Sequence, residues 1–415
     1  MNGRLSRLLD APTQALREPM FRLVFIGQSV SSFGGGLMPV ALTFAVLARF
    51  DSATALGAVL GAQTIASILL YITGGVAGDR FSRRAVMVVM DSTRCAGEVV
   101  LGLVLLSPHP ALWVVCALNA VQGVAGGIFA PSAMGLVPQV VSEEHLQNAN
   151  ALMSMTSSIT SVVAPAVAGV MVATIGGGWA ILINGASFGV NAIVLTRLPR
   201  NLSVPDRTAS ALAQLRDGWR TFVSMRWFVE VVLSGTAFNY FTGLYYTLAP
   251  VVAQRALGGS SAWAAVAVAG AIGSIIGGLS IMRVRPRHPL RAGMIVMLPW
   301  SLMPLGFALH LPVAVLCGFG VVVYMGVIGF DSLYYTAIQR AVPGETLSRV
   351  MSYEYFFASL AFPAGLISAG PLASAFGMRT VLLAAAVGAF VVTAVTIFAR
   401  GIWHFEDAPA VPVQT

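Results

Sequence analysis

A chain of 415 residues that is 57% hydrophobic and 10% charged, with a mean hydropathy of +0.82, carries more apolar surface than soluble cores can bury. A bilayer is the solvent that accommodates it. All 24 basic residues are Arg and the net charge is +8, but the arginines lie between apolar runs, so they mark membrane topology and not a nucleic-acid footprint.

Residues 1–20, "MNGRLSRLLDAPTQALREPM", are Arg-bearing and amphipathic and lack a small-residue cleavage site, so they are read as a cytoplasmic N-terminal segment. Apolar runs follow at 21–49, 55–78, 85–107, 110–137, 147–175, 178–197, 227–254, 261–282, 291–309, 311–340, 347–376 and 379–399. Each reaches about the 20 residues that a membrane-crossing helix needs. Kinks are expected at Gly34–Gly36, Pro39, Pro165 or Pro363. With both termini inside, 20 of the 24 arginines fall on the cytoplasmic side, the bias that sets orientation in a bacterial inner membrane.

The predicted fold is an all-α membrane protein of twelve transmembrane helices in two pseudo-symmetric six-helix bundles, 21–197 and 227–400, with a cytoplasmic tail at 401–415. Between the bundles, 198–226 is polar, and Leu212, Leu215, Trp219 and Phe222 share one helical face, as in an amphipathic linker helix at the membrane surface. The halves echo each other. At an offset of 201 residues Phe129 meets Phe330, Glu144 meets Glu345 and Gly176 meets Gly377; at 203, Gly74-Gly75 meets Gly277-Gly278. Two like-oriented bundles are what a rocking transporter needs.

In the third span, Asp91, Arg94 and Glu98 share one helical face. Arg94 lies about ten residues in, about 15 Å deep and close to the midplane. Charges there are costly unless they face the bundle interior and pair. One cation cannot neutralise two carboxylates, so Asp91 and Arg94 are read as a bracing pair and Glu98 either as a proton carrier or as a third member of that static brace. Asp331, in the tenth span, and Glu354, in the eleventh, are further candidates, either for the proton or for a cationic substrate. Hydrogen bonding to a tyrosine, or to a helix end near the cytoplasmic interface, is the bland alternative for both.

Aromatic residues crowd the second half. Asn239 with Tyr240, and Asp331 with Tyr334 and Tyr335, would offer large apolar faces with few polar tips, a chemistry suited to bulky amphiphilic molecules. Gln28, Ser32, Asn119 and Gln122 are the polar candidates for the facing wall. Cys95, Cys116 and Cys317 fall inside apolar runs, so packing is expected of them, with no disulfide framework, metal site or cofactor.

Three motifs carry a resemblance. "GGVAGDRFSRR" (74–84) resembles the loop between the second and third helices of the major facilitator superfamily, with Gly74, Gly75, Asp79, Arg80, Arg83 and Arg84 at its motif positions. "LNAVQGVAGG" (118–127) is similar to the Arg-x-x-Gln-Gly motif of proton-driven members, with Asn119 in the Arg position. "SVVAPAVAG" (161–169) is similar to a Gly-Pro-x-x-Gly-Gly exporter motif, keeping Pro165 and Gly169 but with Ala164 and Ala168 for glycines. The chain resembles the drug-exporter branch that includes macrolide-efflux and enterobactin-exporter proteins, from "FRLVFIGQSVSSFG" to "SRVMSYEYFF". The resemblance implies a latch at 74–84 that closes the cytoplasmic side. It also implies a monomeric exporter of a small molecule, driven by proton antiport and alternating access. The second-half counterpart, "GGLSIMRVRPR", has Met282 where the acid would be, so a symmetric second latch is not expected.

Proton-coupled uptake of a small nutrient is the alternative; a membrane sensor or membrane enzyme fits less well. "GASFG" (185–189) matches a serine-hydrolase pattern but lies inside an apolar span, so Gly185 and Gly189 are read as a helix-packing pair. The absence of Lys excludes a Gly-x-x-x-x-Gly-Lys phosphate loop.

Overall fold

The computed structural model describes residues 14–80, 82–199, 219–281, 286–342 and 344–403. Helices occupy all twelve regions read from the apolar runs, and the described residues contain no strand. A 3-10 turn, Gln14–Arg17, leads into α1 (Pro19–Phe50), followed by α2 (Ala53–Arg80), α3 (Arg83–Leu106), α4 (Leu112–Val140), α5 (Glu143–Thr174) and α6 (Gly177–Thr196). The second half holds α7 (Arg226–Ala256) and α8 (Ser260–Ile281), then α9 (Pro289–Met297) and α10 (Leu302–Ala308) joined by a 3-10 turn, then α11 (Val313–Ala341). It closes with α12 (Gly344–Ser359), α13 (Phe362–Phe376), α14 (Met378–Ile397) and the short α15 (Arg400–Trp403).

Ten segments are long and apolar enough to cross a membrane; α3 and α7 are long enough but more polar. Gly34–Gly36, Pro39 and Pro165 lie inside continuous helices. Pro363, in contrast, coincides with a break between α12 and α13. A proline lacks an N–H for the carbonyl four residues earlier, and its ring crowds that carbonyl. The ninth region is also divided, at Leu298–Ser301, which contains Pro299.

The chain forms two compact units, Met1–Thr208 and Ala209–Thr415, and the same pairings recur in each. In the first, α2 packs on α4, α3 on α6, and α1 on α5 and α6; in the second, α8 packs on α11, α10 on α14, and α7 on α13 and α14. Gly176 and Gly377, a pair in the sequence echo, precede α6 and α14 at φ +89° and +82°, where a side chain would be strained. The repeat therefore extends to backbone conformation.

Arginines close helix ends in the first unit. Arg84 donates to the carbonyls of Leu195 (3.0 Å) and Thr196 (2.6 Å) at the end of α6. Arg49 does the same for Leu105 (2.7 Å) and Leu106 (2.9 Å) at the end of α3. The last carbonyls of a helix have no intrahelical partner, and a cation also opposes the helix dipole there.

Of the amphipathic face expected in the linker, Leu212 and Leu215 lie outside the described residues. Residues 219–224 are helical. Trp219 packs against Tyr353 at 5.4 Å between ring centroids, and Phe222 stacks on Phe357 at 5.9 Å.

Candidate functional site

In the first unit, the charged face of α3 meets α6 at Gly185, Phe188 and Asn191, while Ser187 of α6 turns to Gly34 of α1. Asp91 is fully buried and accepts from Asn191 Nδ2 at 2.6 Å; Arg94 reaches Asp91 at 3.5 Å. The shorter contact to Asp91 comes from the amide. The Arg94 guanidinium lies 3.7 Å from the centre of the Phe188 ring and 5.5 Å from that of Phe129, a cation–π arrangement. Glu98 is 3% exposed and its Oε2 has no partner. It packs against α6 at Gly185, where an added Cβ would lie 3.1 Å from the Glu98 Cβ. Asn184 also borders it, through an Nδ2 with no hydrogen-bond partner.

The α3 charges and Asn184, Ser187 and Asn191 repeat the same i, i+3, i+7 spacing, which puts each set on one helical face. Sequence analysis missed the α6 row, although "NGASFGVN" contains it. The pairing of Gly185 and Gly189 as packing residues holds: Gly185 faces Val99, and Gly189 faces Cys95. All three cysteines are free.

The other first-unit candidates do not gather around a cavity. Asn119 is fully buried and its side chain donates to the Val115 carbonyl at 3.1 Å. Gln122 donates to the Arg94 carbonyl at 3.0 Å. Both are buried within the first unit. Gln28 is partly buried with Nε2 unpartnered, and Ser32 is exposed. Pro165 is half-buried and Gly169 buried within α5. Beside them Ala164 and Ala168 are fully buried, and an added Cβ at Gly36 of α1 would lie 2.7 Å from that of Ala164. The motif supplies a small-residue packing face. Gly74, Gly75, Asp79 and Arg80 lie in the last turns of α2, but their side chains are outside the described residues; Arg83 and Arg84 open α3.

The second unit contains a cavity of about 200 Å³, bounded by α7, α9, α11, α12 and α14. It brings together Asn239, Asp331, Tyr334, Tyr335 and Glu354, with Phe238 and Phe330 adding apolar walls; no basic residue is among the described lining. Tyr334 donates to Glu354 Oε1 at 3.5 Å, and Oε2 has no partner. Tyr240 turns away, its hydroxyl 3.1 Å from Ser368 Oγ on α13. On α7 it lies one position beyond Asn239, on a different helical face.

The break after Ser359 frees carbonyls, and α7 supplies the donors. Thr236 Oγ1 lies 2.8 Å from the Phe357 carbonyl, which also takes the Leu360 N–H, and 2.8 Å from the Val232 carbonyl of its own helix, so its one proton is shared between the two; Asn239 Nδ2 donates to the Ala358 carbonyl at 2.9 Å. Within a bilayer such replacement is what makes a broken helix tolerable.

Two helical bundles with paired repeats, one holding a buried acid–arginine cluster and the other an acidic aromatic cavity, define a multi-pass membrane transporter rather than an enzyme. The Major Facilitator Superfamily model matches residues 24–330, and the chain belongs to that family. The Multidrug efflux pump Tap of Mycobacterium tuberculosis is 26% identical over 422 residues, covering 96% of this chain and 97% of that protein. The Enterobactin exporter EntS of Escherichia coli is 25% identical over 342 residues, covering 80% of each. The solved structure of nucleoside transporter NupG aligns at TM-score 0.74 and 13% identity, over 94% of this chain and 100% of that one; that likeness shows the fold alone.

Proposed function

We infer that this chain is a proton-coupled exporter of bulky amphiphilic small molecules, working by alternating access as a monomer in the bacterial inner membrane with both termini in the cytoplasm. One observation carries the substrate class: aromatic rings and two carboxylates, Asp331 and Glu354, line a cavity with no basic residue in its described lining. Rings bury an apolar body, and few polar groups fix its orientation. The export direction is supported by the relatives, which are named as an efflux pump and an exporter.

Glu98 is the first choice for the coupling proton. It is buried with an unpartnered oxygen while Asp91 is held by Asn191 and Arg94, so its charge is the less compensated of the two. A proton taken up from outside neutralises it; release to the cytoplasm restores the charge and favours the other conformation. Asp331 and Glu354 serve the substrate, or the proton if Glu98 does not. Residues 74–84 close the cytoplasmic side in the outward-facing state, with Gly74 and Gly75 allowing close helix approach and Asp79, Arg80, Arg83 and Arg84 making the charged contacts.

Accumulation of a chemically diverse compound panel in cells with and without the protein, each with and without an uncoupler, tests this reading. Lower accumulation that the uncoupler abolishes is expected; higher accumulation would mark uptake. Glu98→Gln is expected to abolish pH-gradient-driven efflux while leaving compound binding intact. Undiminished efflux would remove Glu98 from the mechanism.

A further inference from the structure

The eleventh membrane region is divided unequally in how it is held. Beyond the break, α13 is fastened to α7 along its length. An added Cβ at Gly365 would overlap the Tyr240 carbonyl, and one at Gly243 would lie 2.8 Å from the Leu366 nitrogen, so the two backbones are in direct contact. Thr247 donates to the Leu366 carbonyl at 3.2 Å, and Tyr240 is bonded to Ser368. On the near side, the polar contacts that tie the end of α12 to α7 are those from Thr236 and Asn239 to the carbonyls of Phe357 and Ala358. Elsewhere on α12, Glu354 accepts from Tyr334 at 3.5 Å, and Tyr353 and Phe357 lie against Trp219 and Phe222 at the end of the interbundle linker.

Asn239 and Ala358 both line the cavity, and so does Glu354, one turn back along α12. The amide that holds the broken end in place is therefore also in reach of whatever fills the cavity. We propose that α12 is an arm hinged at Leu360–Ala361 and clasped at Phe357–Ala358 by Thr236 and Asn239, and that a cavity ligand releases it by drawing the Asn239 amide away from the Ala358 carbonyl. Asn239 is then a positioning residue that links occupancy to the placement of Glu354 and to the linker end stacked on the arm. Pro363 keeps the hinge available, since residue 363 has no N–H to rebuild a bond to Ser359. This inference rests on the export reading for its ligand, but not for the hinge itself.

The test is hydrogen exchange of backbone amides in the full chain in lipid nanodiscs, with ethidium, a planar aromatic cation, as the probe. Without ligand, Asn239→Ala is expected to speed exchange over 353–362 about tenfold, with 364–376 unchanged. Thr236→Val, of the same shape without the donor, is expected to act alike, and Thr236→Ser to restore the wild-type rate. Ethidium should loosen the same amides in the wild type and add nothing in Asn239→Ala. Pro363→Ala should slow exchange and turnover while ethidium binding, read by fluorescence anisotropy, persists. Unchanged exchange in both Asn239→Ala and Thr236→Val, or equal loosening of 364–376, overturns the hinge. Ethidium that binds without loosening 353–362 overturns the ligand release. Ethidium that neither binds nor is transported counts against the export reading, while the ligand-free variants still decide the hinge.

Discussion

Asn191 makes the shorter contact to Asp91, 2.6 Å against 3.5 Å for Arg94, and is wholly buried. Asn191→Leu removes that donor and leaves a buried carboxylate oxygen unserved, at a cost of about 1–3 kcal/mol; a lower melting temperature in detergent is the expected reading. Phe188→Leu removes the ring under the guanidinium and should cost less, about 1–2 kcal/mol. A fall in melting temperature larger than that of Asn191→Leu would reverse this ranking. Asp91, Arg94 and Glu98 were legible in the sequence because charge in an apolar run is conspicuous. Asn184 and Asn191 were not: an amide in a span is a weak signal, and their relation to α3 depends on a contact between positions about 100 residues apart. Asn239 was legible as a cavity residue, but its bond to the Ala358 carbonyl is visible only once α12 is seen to stop.

Helix ends show where sequence and structure part. Glu18, just ahead of α1, accepts from the backbone N–H of Ser142 (3.1 Å) and its hydroxyl (2.7 Å), and contacts His145 Nδ1 at 2.8 Å. This joins the start of α1 to the start of α5. The bonds from Ser142, then from His145, hold the Glu18 carboxyl below its ordinary 4.5. Stability from this clasp is therefore present above the ordinary value and lost as the pH falls through the lowered one. Proteolysis within residues 14–20 should quicken when the pH is taken from neutral to below about 4. Glu18→Gln should already be cut faster at neutral pH, and equal rates would dismiss the clasp. Prolines marked sites of expected kinks, yet Pro39 and Pro165 sit in continuous helices while Pro363 lies at a break. Composition records the missing N–H at each; what it omits is the neighbour. At 363 the donors Thr236 and Asn239 stand ready for the carbonyls released by an opening, so the opening is tolerated.

Across the molecule, the apolar runs were sufficient to place all twelve helical regions, since the length a bilayer demands is written directly in composition. The duplication was legible too, down to Gly176 and Gly377, because a left-handed position before a helix restricts which residue can occupy it. What could not be read was the division of labour: the first unit sets a largely buried charged cluster between α3 and α6, while the second sets its carboxylates around an aromatic cavity. That cluster has a consequence for synthesis at the ribosome. By itself α3 is too polar to be an ordinary stop in the translocon, since a charge at mid-depth costs roughly 2.5–3.5 kcal/mol there, and its amide partners are made only when α6 emerges. Nascent chains ending before residue 177 should leave Cys95 reachable by a water-soluble maleimide, and chains that include α6 should hide it. The biogenesis of this bundle would then wait on its last helix, making residues 184–191 a checkpoint for insertion as well as a wall of the finished protein.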